Sequence, residues 1–221
     1  MQIAVRAILC VILAATMGVA DVPAFLQRSA GLISMYPYQP RMATSLEDVP
    51  EPARGRLEAH LKQRLGEAFY SRLEVSGGQI VDFEEFHRAK PTWRNYKWEV
   101  FAYRLHFRFS LPEKGIEYYE AAISLRSDGS VIDEIELPKI AKYPERGEFV
   151  ALASAIKTAT AFGFDVARCD VRIEYRREED RCVYLFRQLI REEGVRLTYR
   201  CLDVDAHTGK KIRTSQEEAI R

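Results

Sequence analysis

The stretch KWEVFAYRLHFRFSL, Lys97–Leu111, alternates along its whole length. Phe101, Tyr103, Leu105, Phe107 and Phe109 share one parity, and Ala102, Arg104, His106 and Arg108 share the other. A period of two with one apolar face predicts a half-buried strand. The residues after it form a turn, Pro112-Glu113-Lys114-Gly115. A second strand then carries Tyr119, Ala121, Ile123 and Leu125 on one face. Ser127-Asp128-Gly129-Ser130 turns into a short strand, Val131 to Leu137. Upstream, Leu73 to Phe83 reads as a strand bulged at Gly77-Gly78. Residues 84–96 are polar, contain Pro91 and read as a loop. Before them, Leu57, Leu61, Leu65 and Phe69 recur every four residues, which predicts a helix from about Pro52 to Arg72.

The same order then recurs. After a link over Pro138–Pro144, the alanine-rich segment Glu145 to Phe162 predicts a helix with an inward stripe of Phe149, Leu152, Ala153, Ile156 and Thr160, stopped by Gly163. Strands follow over Ala167–Tyr175, Cys182–Ile190 and Val195–Ala206, with a short strand at Lys210–Ile212. The expected fold class is α+β: two tandem helix-plus-antiparallel-sheet units, over 51–138 and 139–221.

The ends and the charge bound the function. Residues 1–20 read as a signal peptide: Arg6, an apolar run from Ala7 to Val19, and small residues at Gly18-Val19-Ala20. The run is shorter than the ~20 residues that span a bilayer, so cleavage after Ala20 and no stable membrane insertion are expected. The destination is the periplasm or the exterior. Residues 21–50 form an extended N-terminal arm, stiffened at Tyr36-Pro37-Tyr38-Gln39-Pro40. Arg6 is the only charge in 1–20, so the remainder balances 32 basic against 32 acidic residues. That balance argues against a nucleic-acid partner.

The segment Cys201-Leu202-Asp203-Val204-Asp205-Ala206-His207-Thr208-Gly209-Lys210-Lys211-Ile212 resembles the closing signature of PepSY-like domains, and the resemblance extends back to about Glu145. It implies a helix on an antiparallel sheet, in an exported bacterial protein with a binding or inhibitory role. The first half lacks the Asp-Ala-x-Thr-Gly turn and would be a diverged copy or a cystatin-like unit. Within the motif Asp205, Thr208 and Gly209 are structural: Asp205 bonds turn amides and Gly209 supplies positive φ.

Catalytic chemistry finds little footing. His60, His87, His106 and His207 lack metal-ligand spacing, and neither GxSxG nor a glycine-rich phosphate loop occurs. Asp203 and Asp205 lie two apart, but acid–base work also needs a cleft. No catalytic residue, metal or cofactor is expected. The best candidate contact surface is the sheet face carrying Arg104, His106 and Arg108, with Tyr118 and Glu120 on the neighbouring strand. It would be an anion or carboxylate contact site, or a solvated face laced with ion pairs. With tight turns, Cys182 and Cys201 share a face two positions apart, beyond easy bridging. A two-residue register shift would allow a disulfide, and otherwise the cysteines are buried thiols. The outward face of the second unit should hold Val183, Leu185, Leu189, Leu202 and Val204 beside Arg187 and Arg200. That face is too apolar for water and is expected to be covered from within the molecule. These readings together point to a non-catalytic module that binds an unidentified protein or peptide. The alternatives are a structural component of an envelope assembly and a small-ligand carrier or enzyme with a helix–sheet pocket.

Overall fold

In the computed structural model, which describes residues 23–95 and 99–221, the chain folds as an α+β protein with two sheets. Residues 1–20, the expected signal peptide, lie outside the described residues. The first sheet has the order β1-β5-β4-β3-β2, with β6 also on β5. Its strands are β1 (Leu26–Arg28), β2 (Arg41–Ala43), β3 (Glu74–Ile80), β4 (Tyr103–Leu111), β5 (Ile116–Leu125) and β6 (Val131–Asp133). All pairs are antiparallel except β1 with β5. The second sheet is a four-stranded antiparallel meander of β7 (Cys169–Arg176), β8 (Arg181–Glu193), β9 (Arg196–Asp205) and β10 (Lys211–Ile220). Among the described residues four α-helices accompany them: α1 (Ala53–Leu65), α2 (Glu67–Tyr70), α3 (Phe83–Ala89) and α4 (Leu152–Ala161).

One apolar cluster joins the two halves. It takes Leu57, Leu61 and Leu65 from α1, Phe107 and Phe109 from β4, Tyr119 and Ile123 from β5, and Ala155 and Ala159 from α4. Tyr184, Phe186, Leu202 and Val204 of the second sheet belong to the same cluster. Arg28 ties β1 to β5 and to the segment after β6. Its guanidinium lies 4.7 Å from the Tyr119 ring and donates to Glu136 at 2.6 Å and to the Glu120 carbonyl at 2.9 Å.

Several elements differ from the sequence reading. The first helix breaks at Gly66, whose φ of +77° ends α1 before Phe69 joins the same stripe in α2. The bulge in β3 sits between Val75 and Gly77. There a Cβ on Gly78 would stand 2.5 Å from the Arg104 carbonyl, so only glycine allows β3 and β4 to pair this closely. Residues read as a loop contain α3, capped by Asp82, whose carboxylate accepts from the Glu84 and Glu85 amides. Phe101 departs from the parity of Tyr103. It joins a smaller cluster with Met35, Tyr38, Val81 and Phe86, because the chain bends before β4 begins. The second helix starts at Leu152, not Glu145, so its buried stripe is Leu152, Ala155 and Ala159, while Ala153 is exposed.

The largest differences lie in the second sheet. β8 and β9 run on to a two-residue turn at Gly194-Val195, so Tyr184 faces Val204 where the sequence reading opposed it to Cys201. The shift is an odd number of residues, and an odd shift flips every side chain of β9. Leu202 and Val204 therefore point into the core. Cys201 lies opposite Arg187, five residues along β8 from Cys182, and on the other face. Five residues of strand span roughly 17 Å, far beyond disulfide reach, and Cys169, Cys182 and Cys201 are all free thiols. Finally, the expected short strand at Lys210–Ile212 is the ten-residue β10.

Candidate functional site

The five residues read as a contact face, Arg104, His106, Arg108, Tyr118 and Glu120, come together on the outer face of the first sheet. Arg108 is directly opposite Glu120 across β4 and β5. The arm then crosses this face. Ser29 meets the Tyr118 hydroxyl at 3.2 Å, and the Ala30 amide donates to Glu120 at 2.8 Å. Ile33 is held twice by Gln79 of β3, its amide donating at 2.8 Å and its carbonyl accepting at 2.9 Å. Further on, the Tyr38 hydroxyl accepts from the Asp82 amide at 2.7 Å. His106 and Glu120 are thereby buried, which corrects the expectation that they form an open face. Arg108 stays exposed, its guanidinium 4.9 Å from the Tyr118 ring, and Arg104 donates to Ser124 at 3.1 Å.

Burial governs the titration of this layer. Desolvation would raise the Glu120 carboxyl, but the Ser76 hydroxyl, the Ala30 amide, His106 and Arg108 outweigh it and hold it below the ordinary glutamate range. His106 is pushed below the ordinary histidine value, first by desolvation, against the pull of Glu120 at 3.9 Å. Its Nε2 is buried without a hydrogen-bond partner.

Crossing the face, the arm resurfaces it. Leu32 (58% exposed), Ile33 (41%) and Tyr36 (82%) turn outward, as does Met42 (48%) on β2. Met42 lies opposite Gln79, the residue that holds the Ile33 backbone, so these two approach the same point of the sheet. Sequence parity could not find them, because they belong to a segment without periodicity.

The outer face of the second sheet is built differently. Val183 and Leu185 are buried there, opposite Asp205 and Asp203, on the face that carries Arg176, Arg181 and Arg187. Arg176 donates to both oxygens of Asp203, at 3.1 and 3.0 Å, and Arg213 adds a third bond at 3.0 Å. Arg181 pairs with Asp205, and Arg187 joins Glu217 at 3.1 Å while lying 4.2 Å from the Tyr199 ring. The hydrocarbon stems of these arginines cover apolar surface while their heads pair with carboxylates. Asp203 and Asp205 are thus engaged by arginines, and Asp205 also lines an open cleft of about 450 Å³ with Glu179, Arg181, Thr208 and Lys210.

The Asp205–Gly209 turn is tied to the core. One Asp205 oxygen accepts from the His207 and Thr208 amides at 2.8 and 3.0 Å, and Gly209 has φ +71°. The Thr208 hydroxyl accepts from the Lys210 amide at 3.4 Å. His207 bridges two elements: Nε2 accepts from the Cys182 amide at 3.2 Å, so Nδ1 carries the proton and donates to the Glu148 carbonyl at 3.0 Å. Desolvation lowers the His207 pKa, and Arg146 and Arg181 add to it against Asp205. A histidine with a depressed folded pKa binds fewer protons folded than unfolded, so stability falls as pH drops below about 6.5. Denaturant unfolding from pH 7.5 to 5 is expected to show that fall at up to about 1.4 kcal/mol per pH unit for each such histidine. His207→Gln, which can keep both bonds, is expected to remove its share of the fall and leave the part due to His106.

A cleft of about 290 Å³ beside α1 is lined by His60, Arg64, Glu134, Lys139 and Lys142. Its carboxylate, Glu134, is already held by His60 at 3.0 Å and by Arg64 at 3.5 Å, which fasten α1 to the segment that follows β6. Among the described residues no group of three or more His, Cys, Asp or Glu side chains could hold a metal ion, and no helix is long and apolar enough to cross a membrane. No protein-family model, curated protein or solved structure matches the chain.

Proposed function

We propose that this chain is an exported, non-catalytic module that binds a protein or peptide in the periplasm or outside the cell, on a scaffold of two PepSY-like or cystatin-like units. The observation that carries the reading is the arm: a segment fastened by buried Glu120 and Gln79 yet presenting Leu32, Ile33 and Tyr36 to solvent. Apolar side chains gathered on a pinned segment have lost little freedom to lose again on binding, which favours association. Arg108 and Tyr118 supply the polar border that such a patch needs. The export segment at 1–20 supports the location.

The test is capture from an envelope extract by immobilised protein. Wild type and Val195→Asp, a change at the distant β8–β9 turn, are expected to retain the same partner. A folded Leu32→Asp/Ile33→Asp variant is expected to lose it. If that variant captures the same proteins as wild type, the arm is not the binding surface.

A further inference from the structure

We propose that β10 is a self-pairing edge through which two copies of this chain associate, antiparallel, about a two-fold axis at Ser215. β10 ends the second sheet and, among the described residues, pairs only with β9, over nearly its whole length. Its other edge is therefore a row of unpaired backbone groups, and most of its side chains are exposed.

Charges on an edge strand often serve to keep other strands away. Here they are segregated. Within β10, Lys211 and Arg213 precede the centre of the strand, and Glu217 and Glu218 follow it. In a parallel, in-register stack each charge would meet its own copy, and like charges directly opposite are destabilising. Reversing the partner turns that repulsion into attraction. In-sheet antiparallel pairing keeps odd positions opposite odd positions. Centred on Ser215, it sets Arg213 opposite Glu217 of the second copy, and by symmetry Glu217 opposite its Arg213. Thr214 meets Gln216, and Ser215 meets itself. The interface is isologous and closes at two copies.

The two charges remain available for this role. Arg213 is 48% exposed while paired with Asp203, and Glu217 is 43% exposed while paired with Arg187. Cross-copy pairing would extend the outer-face arginine–carboxylate network of one sheet into the next, making a continuous eight-stranded sheet. One shared strand edge buries less than the ~1,200–2,000 Å² of a standard interface, so an association on the order of micromolar or weaker is expected. This surface is separate from the arm and does not depend on it.

Sedimentation velocity on the purified protein tests the proposal. Wild type is expected to form a dimer at concentrations up to about 100 μM, weakened by added salt. Arg213→Glu and Glu217→Arg should each weaken it by about tenfold or more, since each places two like-charge pairs across the axis. An equimolar mixture of the two variants should recover the dimer, because both pairs are rematched in the mixed species. Glu217→Gln, which introduces no repulsion, keeps the test open should a charge reversal unfold the chain, and is expected to weaken the dimer a few-fold. A wild type that stays monomeric overturns the proposal. So do folded charge-reversal variants that dimerise like wild type, a mixture that fails to recover, or an unchanged dissociation constant for Glu217→Gln.

Discussion

Asp203→Ala is expected to destabilise the protein by about 3 kcal/mol and to lower its melting temperature by roughly 6–12 °C. Asp203 is 3% exposed and accepts three hydrogen bonds from Arg176 and Arg213. Removing it leaves two guanidinium groups on the face of Val183 and Leu185 with their shared counter-charge gone. Breaking a buried pair by deleting one partner costs about 3–5 kcal/mol, and the partial exposure of both arginines puts the value at the lower end. Replacing both partners should cost less than replacing one. Asp203→Leu/Arg176→Met is expected to recover most of the loss, because an apolar pair of similar volume shields the same side chains without desolvated charge. Urea unfolding of the three proteins measures this. A cost below about 1 kcal/mol for Asp203→Ala would mean that the network is surface decoration, worth no more than exposed ion pairs.

The sequence carried the fold class well, because helix and strand periods are local. The Leu57–Leu61–Leu65–Phe69 stripe and the Tyr103–Phe109 alternation are both buried in the core as their spacing requires. Register was another matter. Placing the β8–β9 turn a little too early moved Leu202, Val204 and Cys201 to the wrong faces, since a strand's faces exchange at every residue. That register added Leu202 and Val204 to the apolar residues of the outer face and set Cys201 on the face of Cys182. The helix α3 was legible and overlooked: Asp82 followed by Glu84 and Glu85 is an N-terminal capping signal. β10 was hidden for a physical reason. Most of its side chains are exposed on both faces, so no apolar alternation marks Arg213–Ile220 as a strand. The contact-face residues were found because they alternate on paired strands. Their covering was invisible, because the arm binds through backbone amides that no side-chain pattern records.

Glu120→Ala is expected to release the arm and, with it, the proposed binding surface, although it alters none of the exposed apolar side chains. Glu120 is buried and gathers the Ala30 amide, Ser76, Arg108 and His106 around one carboxylate. Its loss strands the Ala30 donor and leaves Arg108 without its cross-strand partner, a cost of about 2–3 kcal/mol. The core of both sheets lies on the opposite face, so the loss should fall on the arm more than on the body. Hydrogen exchange is the discriminating measurement. The Ala30 and Ile33 amides are expected to exchange at least about tenfold faster in Glu120→Ala, while amides of β4 and β8 keep most of their protection. Glu120→Gln, which still offers an acceptor to Ala30, should fall between. Gln79→Ala removes the second fastening and should free Ile33 alone. Acid should act like the mutation: Glu120 is held below its ordinary value, so its contribution is present above about pH 4.5 and is lost as pH falls through the depressed folded value. If Glu120→Ala frees the arm and partner capture persists, the face beneath the arm, with Arg104 and His106 newly exposed, is the recognition surface. If capture disappears with the arm's protection, the arm itself presents the binding residues.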